Sequence, residues 1–411
     1  MKQTLPILIC MLTMSLHAQI MTDSSWRVDV KTVQLYPSGS ELEAPLLTMS
    51  GGGRLVLEFD VLQAQPENLH WRITHCDRHW QADGLDEVEF LNGLAEGAVD
   101  NYDFSFTTRI DYVHYHTVLP GDFAEFTHSG NFIVSVEDGD GQRLLTRRFY
   151  VTEQSAAVQA MVTRPYDGIG IDRRQEVDVS VTSGQWPLAG EQWLTVTVQQ
   201  NGRTDNCSEL KFSGYAGDAL TFRHRPQNVF AGGNTFRYFD CSNLRTPMYN
   251  VQRVEKYGGE EFVLLRPEED RSRKHFLGER TINGNIKVNT QDRENPRLEA
   301  EYVWVSFSLP MTQPMLEGSV YVVGALTDWR LDSISRMDYN TQYRAYTKRL
   351  LLKQGYYSYL LLVVGGQRLM SATALLEGDH YETPNRYTVY VYQHSPSDRA
   401  DRLLAVQTVI P

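Results

Sequence analysis

The chain is short of positive charge. Its 411 residues carry 39 Lys+Arg against 51 Asp+Glu, a formal net charge of −12. A general nucleic-acid binder would show a basic footprint, so that class is disfavoured. Long apolar runs are scarce as well. Apart from the dozen or so residues from Leu5 to Leu16, no stretch approaches the ~20 residues that a spanning helix needs. Sustained helical periodicity is missing from end to end. Cysteine is sparse: Cys10 lies in the first apolar run, Cys207 and Cys241 share the central region and could pair, and Cys76 is left over. The chain contains no G-x-S-x-G elbow, phosphate loop or dinucleotide fingerprint, and Gly51 to Gly53 reads as a hairpin turn.

What is present is strand and export signal. Met1-Lys2, the apolar run and His17-Ala18 form a secretory signal peptide over residues 1–18, with cleavage expected after Ala18. Cys10 sits inside the apolar run without the small neighbours that a lipid-attachment site wants, which disfavours a lipoprotein. An exported, soluble mature chain is expected. Aromatics are 11% of residues, led by 22 Tyr, which suits strands and interfaces.

Alternating apolar and polar residues mark strands at 33–36, 54–59, 69–74, 112–119, 132–137 and 146–151, split by Gly, Pro, Asp and Ser clusters. Residues 86–101 hold a helical turn or a long loop. After a hinge at 154–157 the pattern repeats at 158–163, 176–182, 194–199, 219–223, 235–239 and 261–265. The mixed-charge run Arg266–Lys274 reads as a solvated loop or linker. A third set follows at 302–309, 319–323, 343–352, 356–363, 387–393 and 402–410. The length suggests two to four domains. The expected fold class is all-β, with three tandem immunoglobulin-like or early-set β-sandwiches over residues 19–155, 156–295 (including the charged linker) and 296–411.

The densest packet of special residues is Trp71-Arg-Ile-Thr-His-Cys-Asp-Arg-His-Trp80. In an extended strand His75, Asp77 and His79 share one face, and Thr74, Cys76 and Trp80 the other. Same-face neighbours stand about 7 Å apart, so His75 and His79 are too distant for one zinc ion unless the segment curls. Cys76 as a nucleophile lacks a same-face base in His75. A buried thiol, with His75 or Asp77 holding the next loop and Trp80 packed inside, is the favoured reading. His114 and His116 share a strand face without a carboxylate pattern nearby, and read as half-exposed sheet histidines. No catalytic, cofactor or metal residues are expected.

Val322-Val-Gly-Ala-Leu-Thr-Asp-Trp329, followed by Gly355-Tyr-Tyr-Ser-Tyr-Leu360, resembles the early-set sandwich of glycogen-binding modules. There an aromatic stacks on sugar rings, so Trp329 is a candidate glycan contact and an exported carbohydrate-binding accessory protein is the alternative function.

Several segments in order resemble a single family. They are Val33-Gln-Leu-Tyr36, Thr74-His-Cys-Asp77 with Trp80, Asn101-Tyr102-Asp-Phe-Ser-Phe106, Tyr112-Val-His-Tyr115, and Phe126-Thr-His-Ser129-Gly130-Asn131. Leu145-Thr-Arg-Arg-Phe149, Val323-Gly-Ala-Leu-Thr-Asp-Trp329, Leu352-Lys-Gln-Gly-Tyr-Tyr357, Leu376-Glu-Gly-Asp-His-Tyr-Glu-Thr383 and Asp401-Arg-Leu403 complete the set. This is similar to the type IX secretion system plug protein family of Bacteroidetes. The resemblance implies a periplasmic, non-enzymatic protein without cofactors. Its implied partner is the outer-membrane translocon β-barrel, whose inner mouth it closes. It also implies structural roles for Thr74, His75, Cys76, Asp77, Trp80, Asn101, Tyr102, Ser129, Gly130 and Asn131, and leaves the partner-binding residues unassigned.

Overall fold

The computed structural model describes residues 22–183, 190–365 and 372–411. The expected signal peptide and Cys10 lie outside the described residues. Each predicted strand is present within three residues of its expected limits. The helical turn expected in 86–101 is Glu87–Phe90, closed at its start by reciprocal hydrogen bonds between Asp86 and Glu89.

The strands build three two-layered sandwiches. In the first, one sheet runs Ser24–Ser25, Arg143–Thr152, Gly130–Asp138, Leu69–Cys76 and Glu96–Ala98. The other runs Val30–Pro37, Leu55–Val61, Val113–Leu119 and Tyr102–Phe104. Period-two patterning turns Leu55, Leu57, Phe59 and Val61 inward to meet Ile73, Phe132, Val134 and Phe149. Glu58 and Asp60 point the other way yet are also buried, so a second body covers that face.

The expected domain limits at 155/156 and 295/296 treat each unit as one run of chain, whereas strand pairing crosses them. Leu194–Gln200 of the second sandwich pairs with Tyr387–Gln393, which pairs with Arg402–Val409. The last two strands of the chain therefore complete the second sandwich, and Val196, Val198, Val389 and Val391 share its core. The third sandwich takes Arg237–Asp240 and Ile286–Val288 from the centre of the chain, both paired with Gly355–Val364. Its other sheet holds Val251–Tyr257, Glu260–Leu265, Tyr302–Pro310, Ala345–Lys353 and Asp338–Asn340. Alternation reports that a segment is a strand and which face is buried, but not its partner across nearly 200 residues.

The charged run Arg266–Lys274 is more than a solvated linker. Glu268 accepts hydrogen bonds from Arg237 and Tyr359, and Arg271 reaches Glu377, whose carboxylate also binds Arg237 at 2.9 Å. Glu377 and Arg237 are buried. Burying these charges is tolerable because each meets an opposite charge and further donors or acceptors.

Candidate functional site

The packet at 71–80 is the seat on which the C-terminal segment docks. The strand ends at Cys76, and Asp77 closes a turn by accepting from the amides of His79 (2.9 Å) and Gln81 (2.8 Å) through Oδ1. His75 points into the first core, against Phe90 and Phe132. Its Nδ1 lies 2.7 Å from Asp83 Oδ2 and its Nε2 3.2 Å from the Ser129 carbonyl, so both ring nitrogens face acceptors. Burial alone would push the Asp83 carboxyl up, but the hydrogen bond and charge of His75 hold it below the usual carboxylate range. His75 and Asp77 thus both fasten the following loop.

Cys76 is 0% exposed, and burial pushes its thiol up to about 12. That is the opposite of the activation a nucleophile requires. Trp80 departs from the expectation of full burial. It sits half-exposed at φ 65°, its ring edge-on to Tyr150 at 5.2 Å and beneath the Arg148 guanidinium at 4.3 Å. The turn at Asp77–Trp80 lifts the indole off the strand face and onto the rim between the first two sandwiches. His79 is exposed and parted from His75 by the same turn.

Ser129-Gly130-Asn131 lies on the strand beside this packet. Ser129 Oγ donates to Glu153 (3.0 Å) and accepts from the Leu403 amide (2.9 Å). Asn131 donates to the Asp77 carbonyl (3.2 Å) and accepts from Tyr392 Oη (2.8 Å). Gly130 has φ 146°, and a Cβ there would overlap His75 Nε2 and stand 3.2 Å from the Asp401 carbonyl. Asp401 accepts from the Arg78 amide at 2.8 Å, and Arg402 forks onto Glu153 at 2.8 and 2.7 Å. Tyr150 stacks on Tyr390 with centroids 4.5 Å apart. Thr74 is half-buried on the same strand. Asn101 and Tyr102 stand apart from this seat: the Asn101 carbonyl accepts from the His116 amide, and Tyr102 is 41% exposed on an edge strand.

A second junction ties the first sandwich to the third, and one of its residues corrects an expectation. His114 is buried, not half-exposed, and its Nδ1 lies 2.7 Å from Asp60 Oδ1. Asp60 is its direct cross-strand neighbour, a carboxylate invisible while the pairing of the two strands is unknown. Asp60 Oδ2 also accepts from Lys353 Nζ (2.7 Å) and Tyr302 Oη (2.6 Å), both from the third sandwich. Lys353 is 1% exposed, donates to the Arg297 carbonyl at 2.6 Å and lies 4.1 Å from the Tyr112 ring centre. Burial pulls its ammonium below the ordinary lysine value. Burial would raise the Asp60 carboxyl, yet the charges of Lys353 and His114 hold it low.

The remaining singled-out residues do not build a reaction centre together. Trp329 is half-buried at φ 56°, edge-on to Phe236 at 6.2 Å, over a glycine, Gly284, where any Cβ would strike its ring. It packs its turn onto the third sandwich. Cys207 and Cys241 are both free, the former exposed on the second sandwich and the latter buried in the core of the third. No described helix is long and apolar enough to cross a membrane.

Sequence reasoning missed an exposed apolar tip on the first sandwich. The ribbon that pairs Asn92 with Glu125 carries Leu94 and Phe123 at its outer end, 74% and 95% exposed, with Phe123 at φ 63°. Single exposed apolar residues are common and carry no sequence signal.

Residues 30–153 match the family model for the first domain of type 9 secretion system plug proteins. The crystal structure of a hypothetical protein from Parabacteroides merdae ATCC 43184 superposes with a TM-score of 0.91 at 27% identity, covering 95% of this chain and 99% of that one. A biofilm-associated protein BSP domain, 9% identical over 90% of this chain and 66% of its own, gives a TM-score of 0.15, too low to bear on fold or function. No curated protein matches. The matched residues span the first sandwich, including the docking seat and Asp60, so it is this part of the chain that is similar to the first domain of type 9 secretion system plug proteins.

Proposed function

We propose that this chain is a non-enzymatic periplasmic plug subunit that binds and closes the periplasmic mouth of the type IX secretion translocon barrel. The observation that carries the reading is the plug-domain match over the first sandwich. The architecture supports it in physical terms. A stopper must hold its shape against a wide opening, and here three sandwiches are tied together at two buried polar junctions, Asp60–Lys353 and Asn131–Tyr392. Acidic loops and exposed aromatics supply the composition of a contact surface, with anchors of the kind that dominate interface energy. The signal peptide at 1–18 would deliver the chain to the periplasm.

Trp329 packed over Gly284 gives no support to the glycan-binding alternative, which would need an accessible ring face. The test is affinity capture of a tagged translocon barrel from outer-membrane extract. Recovery of this chain with the barrel is expected, and its absence under every channel state would refute the proposal.

A further inference from the structure

The strand Arg174–Ser183 turns Val177, Val179 and Val181 into the second core, which leaves Glu176 and Asp178 together on its other face. On that face Glu176 is buried and Asp178 half-buried. Glu176 is 0% exposed, with Oε2 accepting from the Tyr166 amide (2.6 Å) and Oε1 from the His224 amide (3.0 Å). The Nδ1 of His224 lies 3.1 Å from the same Oε1, and the Tyr166 ring stands 5.8 Å from the imidazole. Beside them the Oδ1 of Asp178 is shut off from solvent and has no hydrogen-bond partner. One ligand-capable atom from each of Glu176, Asp178 and His224 lies within 4.8 Å of the other two.

The charges do not balance as they do around Asp60 and Glu377. The buried carboxylates Asp60 and Glu377 each pair with a lysine or arginine. Among the described residues neither Glu176 nor Asp178 has such an ion pair; Glu176 meets only His224. Two adjacent carboxylates with one imidazole, and one oxygen without a partner, lack a positive centre.

We propose that Glu176, Asp178 and His224 bind a divalent transition-metal ion. One imidazole nitrogen and two carboxylate oxygens suit Zn²⁺ or Mn²⁺, with further positions left to water, whereas Ca²⁺ asks for six to eight oxygens. The ion gives Asp178 Oδ1 its missing partner and cancels the repulsion between the carboxylates. It also clips the turn at His224 to the strand. Two ligands are adjacent in Glu176-Val-Asp178, but the third comes 46 residues later, at 224 minus 178, and only the sheet brings it in.

The test uses the full chain, stripped with chelator and titrated with Zn²⁺ against a chromophoric competitor. One equivalent bound is expected, with affinity falling at least about tenfold in both Asp178→Asn and His224→Ala and unchanged in His116→Ala. Circular dichroism confirms that the variants are folded; Asp178→Asn keeps the side-chain volume, and His224 is an exposed loop residue. No competition by the wild-type chain at micromolar Zn²⁺, or wild-type affinity in either ligand variant, overturns the proposal.

Discussion

Replacing Lys353 by Met tests whether the Asp60 centre holds the first and third sandwiches together. Methionine fills much of the lysine volume, so the change removes charge and donors more than packing. Asp60 would keep His114 and Tyr302 as donors but lose its buried cation, and the Arg297 carbonyl would lose its 2.6 Å donor. Removing one partner of a buried pair costs about 3–5 kcal/mol. The two remaining donors place this case near about 3 kcal/mol, roughly a hundredfold in an opening equilibrium. The readout is native-state hydrogen exchange in Val113–Leu119 and Ala345–Lys353, where local opening is measured without assuming that three sandwiches unfold as one. A second substitution, Asp60→Asn on top of Lys353→Met, should recover about 2 kcal/mol by removing the stranded charge. His114 can then swap tautomer and accept at Nδ1, since its Nε2 has no partner to lose. A cost below about 1 kcal/mol for Lys353→Met, or no relief from the second change, would refute the reasoning.

Gly130→Ala should destabilise the first sandwich by about 2–4 kcal/mol, from backbone strain and displacement of His75, seen as a lower urea midpoint. Thiol labelling of the native protein should modify Cys207 and spare Cys76 and Cys241 until denaturant is added; rapid labelling of Cys76 would contradict its placement. Burial holds His128 below the ordinary histidine value of 6.5, so in the window beneath 6.5 the unfolded chain binds more protons and stability rises with pH. Acidification from pH 7.5 to 5.5 should therefore lower the urea midpoint. His128→Asn should reduce that slope in part, since His380 is depressed by burial in the same way. Under the proposed plug function, Phe123→Asp with Leu94→Asp should reduce capture by the barrel about tenfold or more while leaving the fold intact.

The strands were legible because alternation is a local property, and the helical turn at Glu87–Phe90 falls where residues 86–101 run short of strand formers. The burial of Cys76 and the loop-holding roles of His75 and Asp77 also followed from strand geometry. What sequence could not show was anything that depends on pairing. His114 seemed to lack a carboxylate because Asp60 is 54 residues away, directly opposite it in the sheet. Arg271 and Glu268 read as solvated charges because Arg237 lies on a distant strand and Glu377 in a distant turn. Trp80 was misplaced because the strand ends at Cys76, and a positive-φ turn redirects the next side chains. The motifs in 71–80, 129–131 and 401–403 belong to one contact, a unity visible only once the strands are assembled.

The pairing of Leu194–Gln200 with Tyr387–Gln393 also sets an order of assembly. The first sandwich has all its strands once residue 152 is available, and its core can close early. The second cannot: half of its Cys207–Leu210, Leu194–Gln200, Tyr387–Gln393, Arg402–Val409 sheet arrives after nearly 180 intervening residues. Until then Leu194–Gln200 presents an unpaired edge rich in valine and threonine, the kind of template on which chains aggregate. Truncation before Tyr387 would make that exposure permanent, and with it would go the strand that locks the second sandwich to the first. The end of this chain is the keystone that is laid last.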